Sequence, residues 1–345
     1  MAKVTVLMAV YNAGEYLQIA VESILTQTFS DFNFLIINDA STDTSGDFLE
    51  QLNEPRIKLI HNQTNLGLTR SLNVGLQQIS TEYIARMDAD DVAHPQRLEK
   101  QIRFLDKHPD YILVGSSYRL IDGESKVIDS VIKPMDHVEL MWLFHTRTAL
   151  EHGSVTYRHG IKIFPPLQYD VKYRTAQDYD FWLRMLKQGK GAIMPDLLLD
   201  YRQHSQNITS TSPSQQLQNI KSISADFLQI EYDLSHFENV LVTSTIEFLN
   251  NNNSMVFASY RMAWQGMKLL IDKYCSHNPL TNNEKAFIRR RAHGQLWHCA
   301  LNKRQTPFAQ KLLLFVCSPF SLVYLISRRL RRENHLTPQC KFENE

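Results

Sequence analysis

Over the first 115 residues, apolar and polar positions switch between two periods. KVTVLMAV (3–10) is a continuous apolar run, as expected of a strand buried on both faces. Asn12 follows, with Glu15 three positions later, which resembles a capping box with Asn in place of Ser or Thr. Leu17, Val21, Ile24 and Leu25 then recur at helical spacing. FNFLIIND (32–39) reads as a second strand, 43–52 as a helix, RIKLIHN (56–62) as a third strand and Leu68 to Ile79 as a helix. EYIARMD (82–88) reads as a fourth strand, Pro95 to Lys107 as a helix and YILVGSS (111–117) as a fifth strand. This alternation predicts parallel β-α-β units with helices on both faces of a sheet. Ligands of such sheets bind beyond the carboxyl ends of the strands. The polar residues ending these strands, Tyr11 and Asn12, Asp39, and Asp88 to Asp91, are therefore expected to line one crevice.

Residues 118–200 are less regular. Within RTAQDYDFWLRMLKQGKG (174–191), Tyr179, Trp182, Leu183 and Leu186 share one helical face, with Asp178 near the helix start. An acid in the first turn is electrostatically at home there. HSQNITSTSPSQQ (204–216) is a polar stretch and a plausible boundary. Beyond it the period stays helical, with stripes at Leu217, Ile220, Ile223, Phe227 and Ile230 and at Phe257, Tyr260, Trp264 and Ile271. The expected organisation is an α/β domain over 1–210, a helical domain over 211–306 and a tail over 307–345. The tail holds LLLFVCSPFSLVYLISRRLRR (312–332). Its apolar part is about 15 residues, roughly 22 Å as a helix, against a hydrocarbon core of roughly 30 Å. Pro319 interrupts it, and Arg328, Arg329, Arg331 and Arg332 follow. This predicts an amphipathic, basic tail that associates with a membrane surface; a packed core helix with a solvated basic end is the other reading.

Composition narrows the classes. Apolar residues are 43% and charged residues 21% of 345, ordinary for a globular protein, and the net charge of +1 gives no bulk field for nucleic acid. Cys275, Cys299, Cys317 and Cys340 form no C-x-x-C pair, which suits free thiols in a reducing cytosol. The run at 3–10 is too short for a signal peptide and has no cleavage site after it, so a cytoplasmic chain is expected. There is no G-x-G-x-x-G after the first strand and no G-x-x-x-x-G-K-[ST] anywhere, which removes most of the case for a dinucleotide enzyme or a P-loop NTPase.

The densest chemistry is ARMDADDVAHPQRL (85–98), with Asp88, Asp90 and Asp91 inside four positions. Like charges this close raise one another's proton affinity unless something positive sits among them. A D-x-D after a buried strand offers hard oxygens to a divalent cation, and magnesium or manganese typically shares its shell with substrate phosphates. A helix cap at Asp91 or His94 would explain one aspartate, not three. An EF-hand loop fails, because Val92 and Ala93 stand where a ligand and a glycine are needed. Asp88-Ala89-Asp90-Asp91-Val92 also fits the D-x-D-x-[TV] of haloacid dehalogenase phosphatases, but that motif normally ends the first strand and here it ends the fourth.

VTVLMAVYNAGEYL, IINDASTDTS, NLGLTRSLNVGL, YIARMDADDVAHPQRL and AQDYDFWLR occur in this order. Together, over roughly residues 3–205, they resemble glycosyltransferase family 2, the inverting transferases with the GT-A fold. The resemblance implies a Rossmann-like mixed sheet flanked by helices, followed here by an α-helical C-terminal region that it does not cover. It implies nucleotide-sugar contacts at Ala9, Tyr11 and Asn12, with Tyr11 against the base. It places Asp39 on the nucleoside and Arg70 near the uridine and diphosphate. Asp88, Ala89 and Asp90 match the D-x-D, with Asp90 the more direct metal ligand and Asp88 a ligand through water or a sugar contact. Asp178 matches the catalytic base of an E-D motif whose Glu is replaced by Gln177. EHGSVTYR (151–158) and DYRQHSQNIT (200–209) resemble two further stretches, with His152 facing the acceptor or donor sugar and His204 near the diphosphate. For each histidine a purely structural role is at least as expected.

The implied activity is metal-dependent, inverting transfer of a hexose or N-acetylhexosamine from a UDP-sugar to a glycan, expected to be lipid-linked, in surface polysaccharide assembly. Manganese or magnesium is the implied cofactor. The Q-x-x-R-W motif of processive members is missing after Asp178, so one sugar is expected per encounter. The expected location is the inner face of the membrane, with the protein held peripherally by the tail. A catalytically silent nucleotide-sugar-binding scaffold is the alternative from another class.

Overall fold

The computed structural model describes residues 2–159, 167–204, 207, 213–250 and 257–302. The tail at 307–345, with Cys317 and Cys340, lies outside the described residues. The chain forms two compact units, residues 1–140 with 148–216, and residues 141–147 with 217 onward.

The first unit is built on a nine-stranded mixed sheet. In chain order its elements are β1 (Val4–Val10), α1 (Tyr16–Leu25), β2 (Phe32–Asn38), α2 (Ser45–Glu50), β3 (Ile57–His61), α3 (Leu68–Leu76), β4 (Tyr83–Met87), β5 (Val92–Ala93) and α4 (Arg97–Lys107). There follow β6 (Tyr111–Ile121), β7 (Val127–Val131), α5 (His137–Phe144), β8 (Thr156–Arg158), α6 (Gln177–Leu186) and β9 (Lys190–Arg202). The strand order is β3-β2-β1-β4-β8-β6-β9-β5, with β7 pairing β6. The first four strands are parallel, β1 lying between β2 and β4 in the order 3-2-1-4. The order reverses at β1 and β4, so their carboxyl ends open the crevice at a topological switch point. Strands β1, β2 and β4 are buried almost throughout, which is why their sequences are continuous apolar runs. Helix α3 lies close on β1: a Cβ at Gly75 would stand 2.4 Å from Leu7 Cδ1, so glycine sets that spacing.

Two expectations need correction here. The fifth sequence-predicted strand, β6, runs in the same direction as β4 but does not pair with it. The three-residue β8 is inserted between β4 and β6, antiparallel to both. Three residues are too few to carry a periodicity, so β8 left no pattern to read. Asn12 is not the cap of α1, which begins at Tyr16 after Glu15. Instead Asn12 has a left-handed backbone (φ 50°), and its side-chain oxygen accepts the Thr42 N–H at 2.8 Å.

The second unit is helical: α7 (Pro213–Tyr232), α8 (His236–Asn250), α9 (Phe257–His277) and α10 (Asn282–Asn302). Its core includes Met141–Arg147. The His145 ring is buried among Trp142, Phe227, Tyr232 and Tyr274. His145 Nδ1 bonds the Met141 carbonyl at 2.6 Å and Nε2 bonds the Tyr232 hydroxyl, while Trp142 Nε1 donates to Gln295 Oε1 at 2.9 Å. Burial pushes the His145 pKa down to about 4, so the ring is neutral. The stripe expected to end at Ile230 does not, since Ile230 is 76% exposed and Leu228 is the buried residue. Among the described residues no helix is long and apolar enough to cross a membrane.

Candidate active site

The loops after β1 and β2 are laced together. The Asn12, Ala13 and Gly14 N–H groups donate to Ser41 Oγ (3.1 Å), Ser45 Oγ (3.1 Å) and Asp43 Oδ2 (3.0 Å). This fixes the backbone just after Tyr11, whose side chain is left 50% exposed at the end of β1. Ala9 is half-buried one step before the strand ends. Asp39 is only 2% exposed and is held by three donors from within the chain. It accepts from Asn62 Nδ2 (2.7 Å), Leu66 N–H (2.8 Å) and Gly67 N–H (2.8 Å), which holds the 62–67 loop. A carboxylate has about four acceptor positions; three are taken. Arg70 is exposed on α3.

The aspartates at the end of β4 have positive partners that the sequence reading missed. Arg86, Arg97 and Arg202 are 1%, 0% and 0% exposed. Arg86 is ion-paired with Asp88. Arg97 donates to the Arg86 carbonyl at 2.6 Å. Arg202 donates its N–H to Asp91 Oδ1 (2.9 Å) and its Nε–H to the Asp90 carbonyl (2.7 Å), with its guanidinium over the Tyr16 ring. The same guanidinium holds the β6–β7 turn through the Asp122 carbonyl and Ser125 Oγ. So Arg86 and the Arg202 N–H offset part of the repulsion among the three carboxylates. Their proximity alone does not demand a metal.

Asp91 is also not the start of the next helix. Helix α4 begins at Arg97, after Gln96, and Asp91 is buried within the crevice wall (1% exposed). Burial, then the Asp90 and Asp88 charges, raise its pKa well above the carboxylate range. Asp88 is raised by burial and by Asp90, against the pull of Arg86. His204 packs on Tyr16 and its Nε2 lies 3.0 Å from Asp90 Oδ2.

Opposite these carboxylates lies a short 3-10 turn, His152–Ser154, leading into β8. A Cβ at Gly153 would meet Asp91 Oδ2 at 2.8 Å and Asp88 Oδ2 at 3.1 Å. Glycine here is a requirement of space. Gly153→Ala is expected to lower stability by about 1–3 kcal/mol and to push the two carboxylates apart; thermal unfolding reads the first effect, and a titration with manganese tests whether the carboxylate geometry matters to a cation.

His152 is neutral: burial and the Arg86 charge hold its pKa well below the usual value. Its Nε2 bonds the Tyr169 hydroxyl at 2.8 Å, and its ring packs edge-on to Trp182. Asp178 stands in the first turn of α6, half-buried. The chain reaches it through Ala176 in a left-handed conformation (φ 58°). Asn12, Ala40 and Ala176, three of the five described non-glycine residues with positive φ, thus adjoin the candidate residues, and such strain gathers at functional sites. Burial pushes the Asp178 pKa up to about 6; the N–H groups of Tyr179 and of Asp178 itself oppose this, and the Glu151 and Asp88 charges add to it. Desolvation therefore outweighs the helix terminus.

Glu151 was not singled out from the sequence. Its carboxylate is 29% exposed, 3.5 Å from Lys133 Nζ, which in turn lies over the Tyr118 ring. Only a neighbouring acid seen in three dimensions could have marked it. Glu151→Gln removes one of the charges that raise Asp178. The acid limb of a rate profile that depends on Asp178 is then expected to move to lower pH, as a pH–kcat series would show.

Among the described residues, no group of three or more His, Cys, Asp or Glu side chains could hold a metal ion. The fit to a shared shell is better. Asp91 Oδ2 is buried without a partner, and the side-chain-free position at Gly153 leaves Asp88 Oδ2 open beside it. A few carboxylate oxygens completed by phosphates and water match how magnesium is held.

Comparison with known proteins places this arrangement. A family model described as Glycosyl transferase family 2 matches residues 5–163. An uncharacterized glycosyltransferase of Haemophilus influenzae is 32% identical over 230 residues, 64% of this chain and 71% of that protein. The O-antigen biosynthesis glycosyltransferase WbnJ of Escherichia coli is 30% identical over 213 residues, 59% of this chain and 81% of that protein. The crystal structure of S. aureus TarS 1-349 superimposes with a TM-score of 0.54 at 17% identity, over 87% of this chain and 88% of that one. The same TarS chain was also solved in complex with UDP-GlcNAc, with a TM-score of 0.54.

Proposed function

We propose that this chain, which belongs to glycosyl transferase family 2 and is a glycosyltransferase of GT-A fold, moves a hexose or N-acetylhexosamine from a UDP-sugar to a glycan with inversion. With a transferase family established, the silent scaffold and the phosphatase fall away as readings. One observation carries the proposal. Asp88, Asp90 and Asp91 end β4 at the switch point, and a separate helix brings up Asp178 with a pKa of about 6.

The roles follow from charge and position. Tyr11, between the laced loops, offers a ring to the base. Asp39 has one acceptor position left for the nucleoside, and Arg70 a cation for the diphosphate. Asp90, with Asp88, would hold the divalent cation, and His204 keeps the Asp90 carboxylate oriented. The cation, when bound, neutralises the charge that develops on the diphosphate leaving group. Asp178 accepts the proton of the acceptor hydroxyl as that oxygen attacks the anomeric carbon. The C–O bond to the diphosphate breaks on the opposite side. A base with a pKa near 6 is mostly ionised at neutral pH and still accepts a proton well. One base and one displacement give inversion.

The neighbour solved with UDP-GlcNAc and the relative named for O-antigen biosynthesis support a UDP-sugar donor and a polysaccharide product. A lipid-linked acceptor, one sugar per encounter and attachment at the inner membrane face by the 307–345 tail complete the proposal. The test is a thermal-shift screen of nucleotide-sugars with manganese. A UDP-sugar at 100 times its Kd should add about 2.7 kcal/mol, and only with the cation. Equal stabilisation in chelator would remove the metal from the proposal. No response to any UDP-sugar would remove the donor.

A further inference from the structure

The helical unit distributes its cations unevenly. Lys221 is ion-paired with Glu247 at 2.9 Å, and Lys273 with Glu238 at 3.3 Å, so the α7–α8–α9 side is compensated. Arg261 and Lys268 on α9, and Lys285 and Arg289 on α10, have no such ion pair among the described residues. Arg261, Lys268 and Arg289 are exposed, and Lys285 is half-buried. Their spacing is regular. Arg261, Trp264 and Lys268 stand at i, i+3 and i+7 of α9, and Lys285, Arg289 and His293 at i, i+4 and i+8 of α10, so each trio occupies one helical face.

The two stripes meet. The Trp264 and His293 rings stack with centroids 4.9 Å apart, and Lys268 Nζ lies 5.5 Å from the Trp264 centroid. Burial, then the Lys268 and Arg289 charges, depress the His293 pKa, which sets one cation from each helix beside the same ring. Acids do little to balance this face. Glu284 is engaged as the helix cap of Thr281, through the Thr281 N–H (2.7 Å) and hydroxyl (2.6 Å). Asp272 is the one exposed carboxylate on α9, four residues beyond Lys268.

We propose that this α9–α10 face is a docking surface for an anionic lipid bilayer. The match is one of charge and chemistry. Arg261, Lys268, Lys285 and Arg289 would meet headgroup phosphates, and Trp264 has the amphipathic ring that settles at the headgroup level. In sequence, α10 also leads directly toward the apolar and arginine-rich segment at 312–332, so the two basic features belong to one end of the chain. The inference rests on the membrane attachment proposed above and assigns it a second, folded contact.

Sedimentation of the full chain with phosphatidylglycerol-rich and with pure phosphatidylcholine vesicles tests this. Each cation at an anionic surface strengthens binding about fivefold. The triple variant Arg261→Gln, Lys268→Gln, Arg289→Gln should bind the anionic vesicles about a hundredfold more weakly, with an unchanged melting temperature and unchanged UDP-sugar binding. Lys221→Gln, which removes a paired cation, should bind like the parent. Equal vesicle affinity of parent and triple variant would overturn the docking face while leaving tail attachment intact. Failure of the parent to bind anionic vesicles at all would sink both. Binding to soluble polyphosphate at least as strong as to vesicles, lost in the triple variant, would make the face a polyanion site and overturn the bilayer assignment.

Discussion

Asp178→Asn is expected to lower kcat by about 10²–10⁴-fold while leaving UDP-sugar binding within experimental error. The substitution keeps the shape and an oxygen for the N–H groups at the start of α6, so geometry survives and the base does not. Stability moves the other way. The folded-state pKa of about 6 lies above the ordinary 3.8. The folded protein therefore binds the proton more tightly than the unfolded chain. The stability tied to that proton is fully present below pH 4 and is lost as pH rises through 6. At pH 7 the ionised, half-buried carboxylate costs about 1–3 kcal/mol, and Asp178→Asn relieves it. The variant should melt higher than the parent at pH 7 and equally at pH 4. A fully active Asp178→Asn enzyme would end the base assignment.

The second large effect is at Asp90. Asp90→Ala should abolish both transfer and the manganese-dependent part of donor stabilisation. The fold should persist. Arg202 grips Asp90 by its backbone carbonyl, which the substitution leaves in place, and the side chain bonds His204 Nε2. Circular dichroism and thermal unfolding check the fold, and titration of a UDP-sugar with and without manganese checks the site. Retained manganese-dependent binding would move the cation from Asp90 to Asp88 or Asp91.

Much of this site was legible because its residues end strands. Asp39 and Asp88 to Asp91 follow apolar runs, and in a sheet of this kind strand ends converge. Asp178 was legible through its local motif and its place in a helix's first turn. What stayed hidden is what depends on partners far apart in the chain. Arg86 is the exception in distance: it stands one residue from the end of β4 and pairs with Asp88 only two positions on, but an otherwise apolar run gave no sign of the pair. Arg202 lies 112 positions from Asp90, yet bonds its carbonyl. Glu151 shows no pattern, and its effect on Asp178 exists only through space.

The sequence by itself determined the parallel β-α-β core, the convergence of polar residues at its strand ends, the aspartate cluster and the helical character of the described residues beyond 213. Each rests on local period or on chemistry within a few residues. Tertiary structure alone decided where β8 enters the sheet and that Met141–Arg147 belongs to the helical unit. It also decided that three buried arginines stand around the aspartates, that Gly153 leaves room for two carboxylates, and that burial pushes the Asp178 pKa up to about 6. Burial and long-range pairing set those properties, and neither is written in any single stretch of chain.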